Sequence, residues 1–179
     1  PRSKSAFRSP FPARFVAAKP LTSRVVNPSN TTIFVSEFIG TALLLLLGIG
    51  VGCNQSLKKS FGFGPNWLLT SIGWGFAVFV GASVSWKSGA QLNPAVTIAL
   101  TMSDSNPQGW DVVPVYITAQ VLGAMCGAVL AYLLYKKQFD TNGDNTQTGG
   151  LFYTSASVPS IWWNILSETI ATFVLVYWV

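Results

Sequence analysis

No histidine occurs in the 179 residues, and only six side chains are carboxylic acids. Without imidazole a Ser-His-Asp arrangement is excluded. Cys53 and Cys126 fall in separate apolar runs and lack the close spacing of a metal or redox pair. They read as small apolar core residues, so neither a metal nor a cofactor is expected, and an enzyme is disfavoured. Charge of either sign is scarce, at 9% of residues against about 25% in a soluble domain. So few charges cannot clothe a water-facing surface, and the apolar half of the chain must face lipid.

What is present is a set of apolar runs at residues 33–53, 67–85, 112–135 and 161–179. Each is long enough, or nearly so, to cross a hydrocarbon core of roughly 30 Å, which takes about 20 helical residues. Stretches such as "TALLLLLGIG" and "GAMCGAVLAYLL" do not alternate, as barrel strands would. The pattern predicts an all-α membrane protein with four transmembrane helices over residues 31–179, the third and fourth joined by the polar loop "KKQFDTNGDNTQTGG", too hydrophilic to enter lipid. Asn30 or Thr31 is the expected cap of the first.

The net charge of +5 is distributed as a topology signal and not as a nucleic-acid footprint. Arg2, Lys4, Arg8, Arg14, Lys19 and Arg24 precede the first span without an acid among them. Basic flanks favour the cytosolic side. Four spans then place Lys87 inside, Lys58, Lys59, Lys136 and Lys137 outside, and both termini in the cytosol. Residues 1–30 read as a disordered basic tail. Their Arg, Ser and Ala content also fits a targeting segment, but Pro12, Pro20 and Pro28 would interrupt one long amphipathic helix.

One apolar piece is too short. Ala95–Met102 would cover only about 13 Å as a helix, and "SGAQLNP" precedes it. Asn is among the best N-caps and Pro suits the first helical position, so Asn93-Pro94 predicts the start of a half-helix within residues 88–102. A helix that begins at membrane depth is re-entrant, and irregular backbone there must face protein or a water-filled path. Its positive dipole end opposes cations. The Asn93 amide would donate to a passing oxygen, and the backbone carbonyls of Gly89, Ala90, Gln91 and Leu92 would accept. Such a wall suits small neutral hydroxylic molecules.

The chain also echoes itself: "SEFIGT" at 36–41 recurs as "SETIAT" at 167–172. Three spans separate the copies, so a second unit would be inverted, a common plan in transport proteins. On the third span Ala119, Gly123, Gly127 and Ala131 recur every fourth residue. With Gly40 on the first span they predict close helix packing. Tyr153, Trp162, Trp163 and Trp67 flank spans as interfacial aromatics do.

These residues together resemble the aquaporin and aquaglyceroporin family. The likeness rests on "SGAQLNPAVTIA" between two spans, "SEFIGTALLLLLG", "YITAQVLGAMCGA" and "SETIATFVLVY". It implies an inverted-repeat helical bundle with a passive channel for glycerol and water, and a homotetramer in a lipid bilayer, more readily the plasma membrane than an organelle. It implies that Asn93, Pro94 and Ala95 form the first of two Asn-Pro-Ala motifs, and that Glu37, Glu168 and Gln120 brace the pore loops. "GWGFAVFVG" is similar to the glycerol-facilitator branch, which makes Trp74 the candidate filter aromatic; an ungapped count puts Gly73 there instead. Gln91 stands where most of the family has histidine. Helices 5 and 6, the second motif and the filter arginine are expected to lie outside residues 1–179. Those residues alone are therefore expected to be half a pore and not to conduct. The remaining alternatives are a water-selective aquaporin and a truncated product that associates with full-length subunits.

Overall fold

The computed structural model describes residues 27–178, apart from Asp104, Pro107 and Gln147. Nearly all of the basic tail expected at residues 1–30 lies outside the described residues. Every regular element among the described residues is a helix, and none is a strand. Its long elements are α1 (Asn30–Ser56), α2 (Trp67–Val84), α3 (Pro94–Met102), α4 (Val113–Leu134), α5 (Lys136–Thr141) and α6 (Ile161–Trp178). Short 3-10 turns at Trp86–Ser88, Gly109–Val112 and Thr148–Leu151 join them. Three helices, Asn30–Ser56, Trp67–Val84 and Gly109–Leu134, are long and apolar enough to cross a membrane. The fourth, Ile161–Tyr177, is apolar but shorter.

Two local readings are corrected. The cap of α1 is Ser29, whose hydroxyl oxygen accepts from Thr32 N–H at 3.2 Å. Serine there starts the helix one position earlier than Asn30 or Thr31 would. The polar segment after α4 is not all loop, because α5 forms within it and buries Phe139 among Ile49, Cys53, Leu57 and Ala131. A single apolar residue in a hydrophilic stretch gave no periodicity to reveal that turn.

α1 is the hub, with α2 on one side and α4 on the other. In lipid the surroundings are as apolar as the side chains, so helices associate through close packing more than through water exclusion. Glycine supplies that approach. A Cβ on Gly123 or Gly127 would run into the carbonyl oxygens of Phe38 and Ala42, so α4 lies directly on the α1 backbone. On the other side a Cβ on Gly81 of α2 would come within 2.7 Å of the Gly40 carbonyl oxygen. Gly40 in turn faces Ser85 and Leu92, at 2.6 and 2.7 Å from its virtual Cβ. The half-helix α3 packs on α4 and α6. The flanking aromatics Trp67, Tyr153, Trp162 and Trp163 are all exposed.

Candidate functional site

The site is built around one carboxylate. Glu37 is completely buried in α1, and a buried acid is costly unless donors surround it. Four donors do. Its Oε1 accepts from Ser88 Oγ at 2.6 Å and from Gln91 N–H at 3.0 Å. Its Oε2 accepts from Leu92 N–H at 2.7 Å and from Gln120 Nε2 at 2.9 Å. Gln120 Nε2 also donates to Thr97 Oγ1 of α3 at 3.0 Å. The Tyr116 hydroxyl donates to the Ser88 carbonyl at 2.5 Å. The two ends of the 88–92 segment are thus pinned to α1 and α4.

The pinning matters because the segment is strained. Gly89 has φ 89°, and the non-glycine residues Ala90 and Leu92 have φ 54° and 53°. Left-handed conformations cost roughly 1–3 kcal/mol per non-glycine residue. Hydrogen bonds to a charged acceptor contribute about 1.5–3 kcal/mol each, enough to hold both residues there. With this twist the carbonyls of Gly89, Ala90, Gln91 and Leu92 accept no hydrogen bond from the described residues. A strand or helix would have consumed them.

Asn93 closes the segment. Its Oδ1 accepts from Ala95 N–H at 2.8 Å, and Pro94 follows at the first position of α3. The cap occupies the amide oxygen and leaves the amide NH2 to donate outward. Asn93 and Pro94 line a groove of about 440 Å³ together with Ala90, Leu92, Val78 and Leu175. The groove therefore brings together Asn93 with its free NH2, the three residues Ala90, Gln91 and Leu92 with unpartnered carbonyls, and mainly apolar neighbours. That arrangement can pass a hydroxyl from acceptor to acceptor, and it gives an ion no compensating charge.

Not every anticipated residue joins this site. Trp74 is half-buried and its ring lies against Gly48 of α1. It lines a separate groove of about 520 Å³ with Gln55, Asn66, Thr70 and Leu151. Gly73 turns toward α1, where a Cβ would come within 2.6 Å of Val51. Glu168 is exposed on α6 beside Thr169, Thr172 and Phe173. The two copies of the echoed motif thus have opposite surroundings: Glu37 meets the donors of the 88–92 segment, and Glu168 meets none of them. Sequence reasoning missed Ser88, Thr97 and Tyr116. Tyr116 precedes Gln120 by four positions, which puts both on one face of α4 and was the available signal. Ser88 and Thr97 show their roles only through contacts far away in the chain.

Comparison with known proteins adds a second line of support. A family model described as major intrinsic protein matches residues 24–179. The chain is 46% identical to a glycerol uptake facilitator protein of Bacillus subtilis (strain 168) over 146 residues, covering 81% of this chain and 53% of that protein. It is 39% identical to aquaglyceroporin-2 of Rhizophagus irregularis, covering 79% of this chain and 46% of that protein. Among solved structures, the X-ray structure of the aquaglyceroporin from Plasmodium falciparum matches with a TM-score of 0.58 and 41% identity. That match covers 66% of this chain and 47% of the other. The chain spans about half the length of these relatives.

Proposed function

The chain belongs to the major intrinsic protein family, and on that premise we propose that the protein is a passive transmembrane channel for glycerol and water, and not an enzyme. It is an integral membrane protein by family and by its apolar helices. The observation that carries the channel reading is the 88–93 segment. The backbone carbonyls of residues 89–92 have no partner among the described residues, and Ala90, Gln91 and Leu92 line one groove, largely apolar in its other residues, with a capped Asn93 whose NH2 is free. The names of the relatives support glycerol as the solute.

The finer assignments extend this reading. Trp74 is the filter aromatic, an indole face that fits the hydrocarbon backbone of a polyol. Both candidates pack on α1, Trp74 on Gly48 and Gly73 on Val51, and Trp74 also lines a groove. Glu168 braces the second, inverted pore segment of the whole protein, as Glu37 braces the first. The assembly is a homotetramer in the plasma membrane with a cytosolic amino terminus. Stopped-flow swelling of proteoliposomes in a glycerol gradient tests the function on the full-length protein. Glycerol entry well above that of protein-free vesicles is expected, and entry no faster than theirs refutes the channel. Trp74→Ala is expected to relax selectivity toward larger polyols; an unchanged polyol series removes Trp74 from the filter.

A further inference from the structure

Charge is divided unequally between the two ends of the bundle, and the packing shows which residues share an end. Ile33 near the start of α1 packs with Val112 and Tyr116 at the start of α4, and Ala42 meets Gly127 further along, so α1 and α4 run parallel. Gly40 meets Ser85 just past α2, and Gly48 meets Trp74 within it, so α2 runs against α1. The start of α1 therefore shares one end with the turns at Trp86–Ser88 and Gly109–Val112. Lys58, Lys59, Lys136 and Lys137 follow α1 and α4 at the other end, where Lys58 N–H donates to Asn142 Oδ1 at 3.0 Å. Asp140 and Asp144 offset those lysines, and Lys136 is paired with Asp140.

Nothing comparable offsets the first end. Lys87 is exposed there and has no ion pair among the described residues. Pro28, where the chain approaches α1, lines a groove of about 330 Å³ with Trp86 and Lys87. Arg24 precedes Pro28 by four positions, so the two Cα atoms are at most about 14 Å apart. Five more basic residues precede Arg24 with no acid among them. The segment 103–112, whose Asn106 and Gln108 line the same groove, adds only two acids, Asp104 and Asp111. Two exposed indoles belong to this end, Trp110 and Trp86, and Lys87 Nζ lies 5.7 Å from the Trp86 ring centroid. Exposed indoles sit at the headgroup level of a bilayer, which sets Lys87 at the depth of the phosphates.

We propose that this end of the bundle binds anionic phospholipid headgroups, through Lys87 and the basic residues ahead of α1. A cluster of about four to eight basic residues beside a spanning helix is drawn to an anionic leaflet. The opposite end, with its lysines offset by acids, lacks that excess. The inference is independent of which solute the channel carries.

Native mass spectrometry of the full-length protein in detergent, titrated with phosphatidylglycerol or phosphatidylcholine, reads the affinity for the first lipid bound. Wild type is expected to prefer phosphatidylglycerol. A basic residue near an anionic surface contributes a factor of about five. Lys87→Ala is therefore expected to weaken phosphatidylglycerol about fivefold and to leave phosphatidylcholine unchanged, whereas Lys59→Ala at the opposite end changes neither. No wild-type preference, an unchanged Lys87→Ala, or equal losses in the two variants overturns the proposal. Where Lys87→Ala fails to fold, the double variant Lys19→Ala, Arg24→Ala decides: a loss of at least similar size is expected, and no loss overturns the proposal. Inorganic phosphate at matched ionic strength is expected to leave the lipid bound; displacement assigns the site to a free anion and overturns the lipid assignment.

Discussion

Replacing Glu37 by glutamine changes one oxygen to NH2 at nearly constant volume, and its cost follows from the geometry. Glu37 Oε1 serves Ser88 Oγ and Gln91 N–H, and Oε2 serves Leu92 N–H and Gln120 Nε2. An NH2 in place of Oε1 can be met by rotating the Ser88 hydroxyl, but Gln91 N–H then faces another donor. An NH2 in place of Oε2 can be met by flipping Gln120, whose Oε1 is without a partner, but Leu92 N–H is stranded. Either orientation leaves one buried backbone donor unpaired, at about 1–3 kcal/mol. The remaining bonds lose charge assistance, which makes them roughly half as strong. The sum is about 2–4 kcal/mol, on the scale of the strain held at Ala90 and Leu92. At ~2–4 °C per kcal/mol for a chain of this size, the melting temperature falls by about 5–15 °C. Intrinsic fluorescence of the seven tryptophans during thermal unfolding in detergent reads this directly. Glycerol flux is expected to drop in parallel, since a relaxed segment no longer aligns its carbonyls. A melting temperature within ~2 °C of wild type, with flux unchanged, would refute the argument that the Glu37 carboxylate holds the segment in shape.

Gly127→Leu drives a side chain into the Ala42 carbonyl and is expected to cost at least 1–3 kcal/mol by overpacking. Gly75→Ala, where a Cβ meets nothing within 4 Å, is expected to hold or raise the melting temperature. Equal losses in the two variants would sink the close-packing account of α4 on α1. Ala90→Gly relieves a left-handed residue and is expected to be neutral or stabilising, whereas Ala90→Val adds a β-branched strain of about 1–2 kcal/mol or more; the opposite order of melting temperatures contradicts the strain reading. In the α5–α6 connection the Thr146 N–H and hydroxyl hold the Asp144 carboxyl below the usual carboxylate range. A lowered carboxyl pKa stabilises the fold above its unfolded value near ~4, and that contribution is lost as pH falls through the folded value. Asp144→Asn is therefore expected to raise protease cleavage of this connection at pH 7, with the difference shrinking as pH falls through the lowered folded value; a penalty that persists undiminished in acid argues against it.

Much of the fold was legible because its signals are local. Charge scarcity and run length pointed to apolar helices, three of which are long and apolar enough to cross a membrane, and cap chemistry pointed to the start that α3 has at Pro94, after Asn93. Glycine spacing on α4 anticipated the ridge that α1 packs against. Each of these depends on residues within a few positions of one another. The α1 cap and α5 were misjudged because one residue decided each, Ser29 and Phe139.

The site divides along the same line. The sequence by itself determined that a polar, irregular segment would interrupt an apolar chain at residues 88–93, and that Glu37 would need donors. Tertiary structure alone decided which donors those are. Ser88, Gln91 and Leu92 reach Glu37 across 51, 54 and 55 positions, and Gln120 reaches it across 83. It also decided that Glu168, in a matching motif, stays exposed, and that Gln91 and Gln120 line one groove with Asn93. The physical reason is that hydrogen-bond satisfaction of a buried group belongs to the packed neighbourhood. A residue's own sequence window states the need for partners, and only the fold brings them within 3 Å.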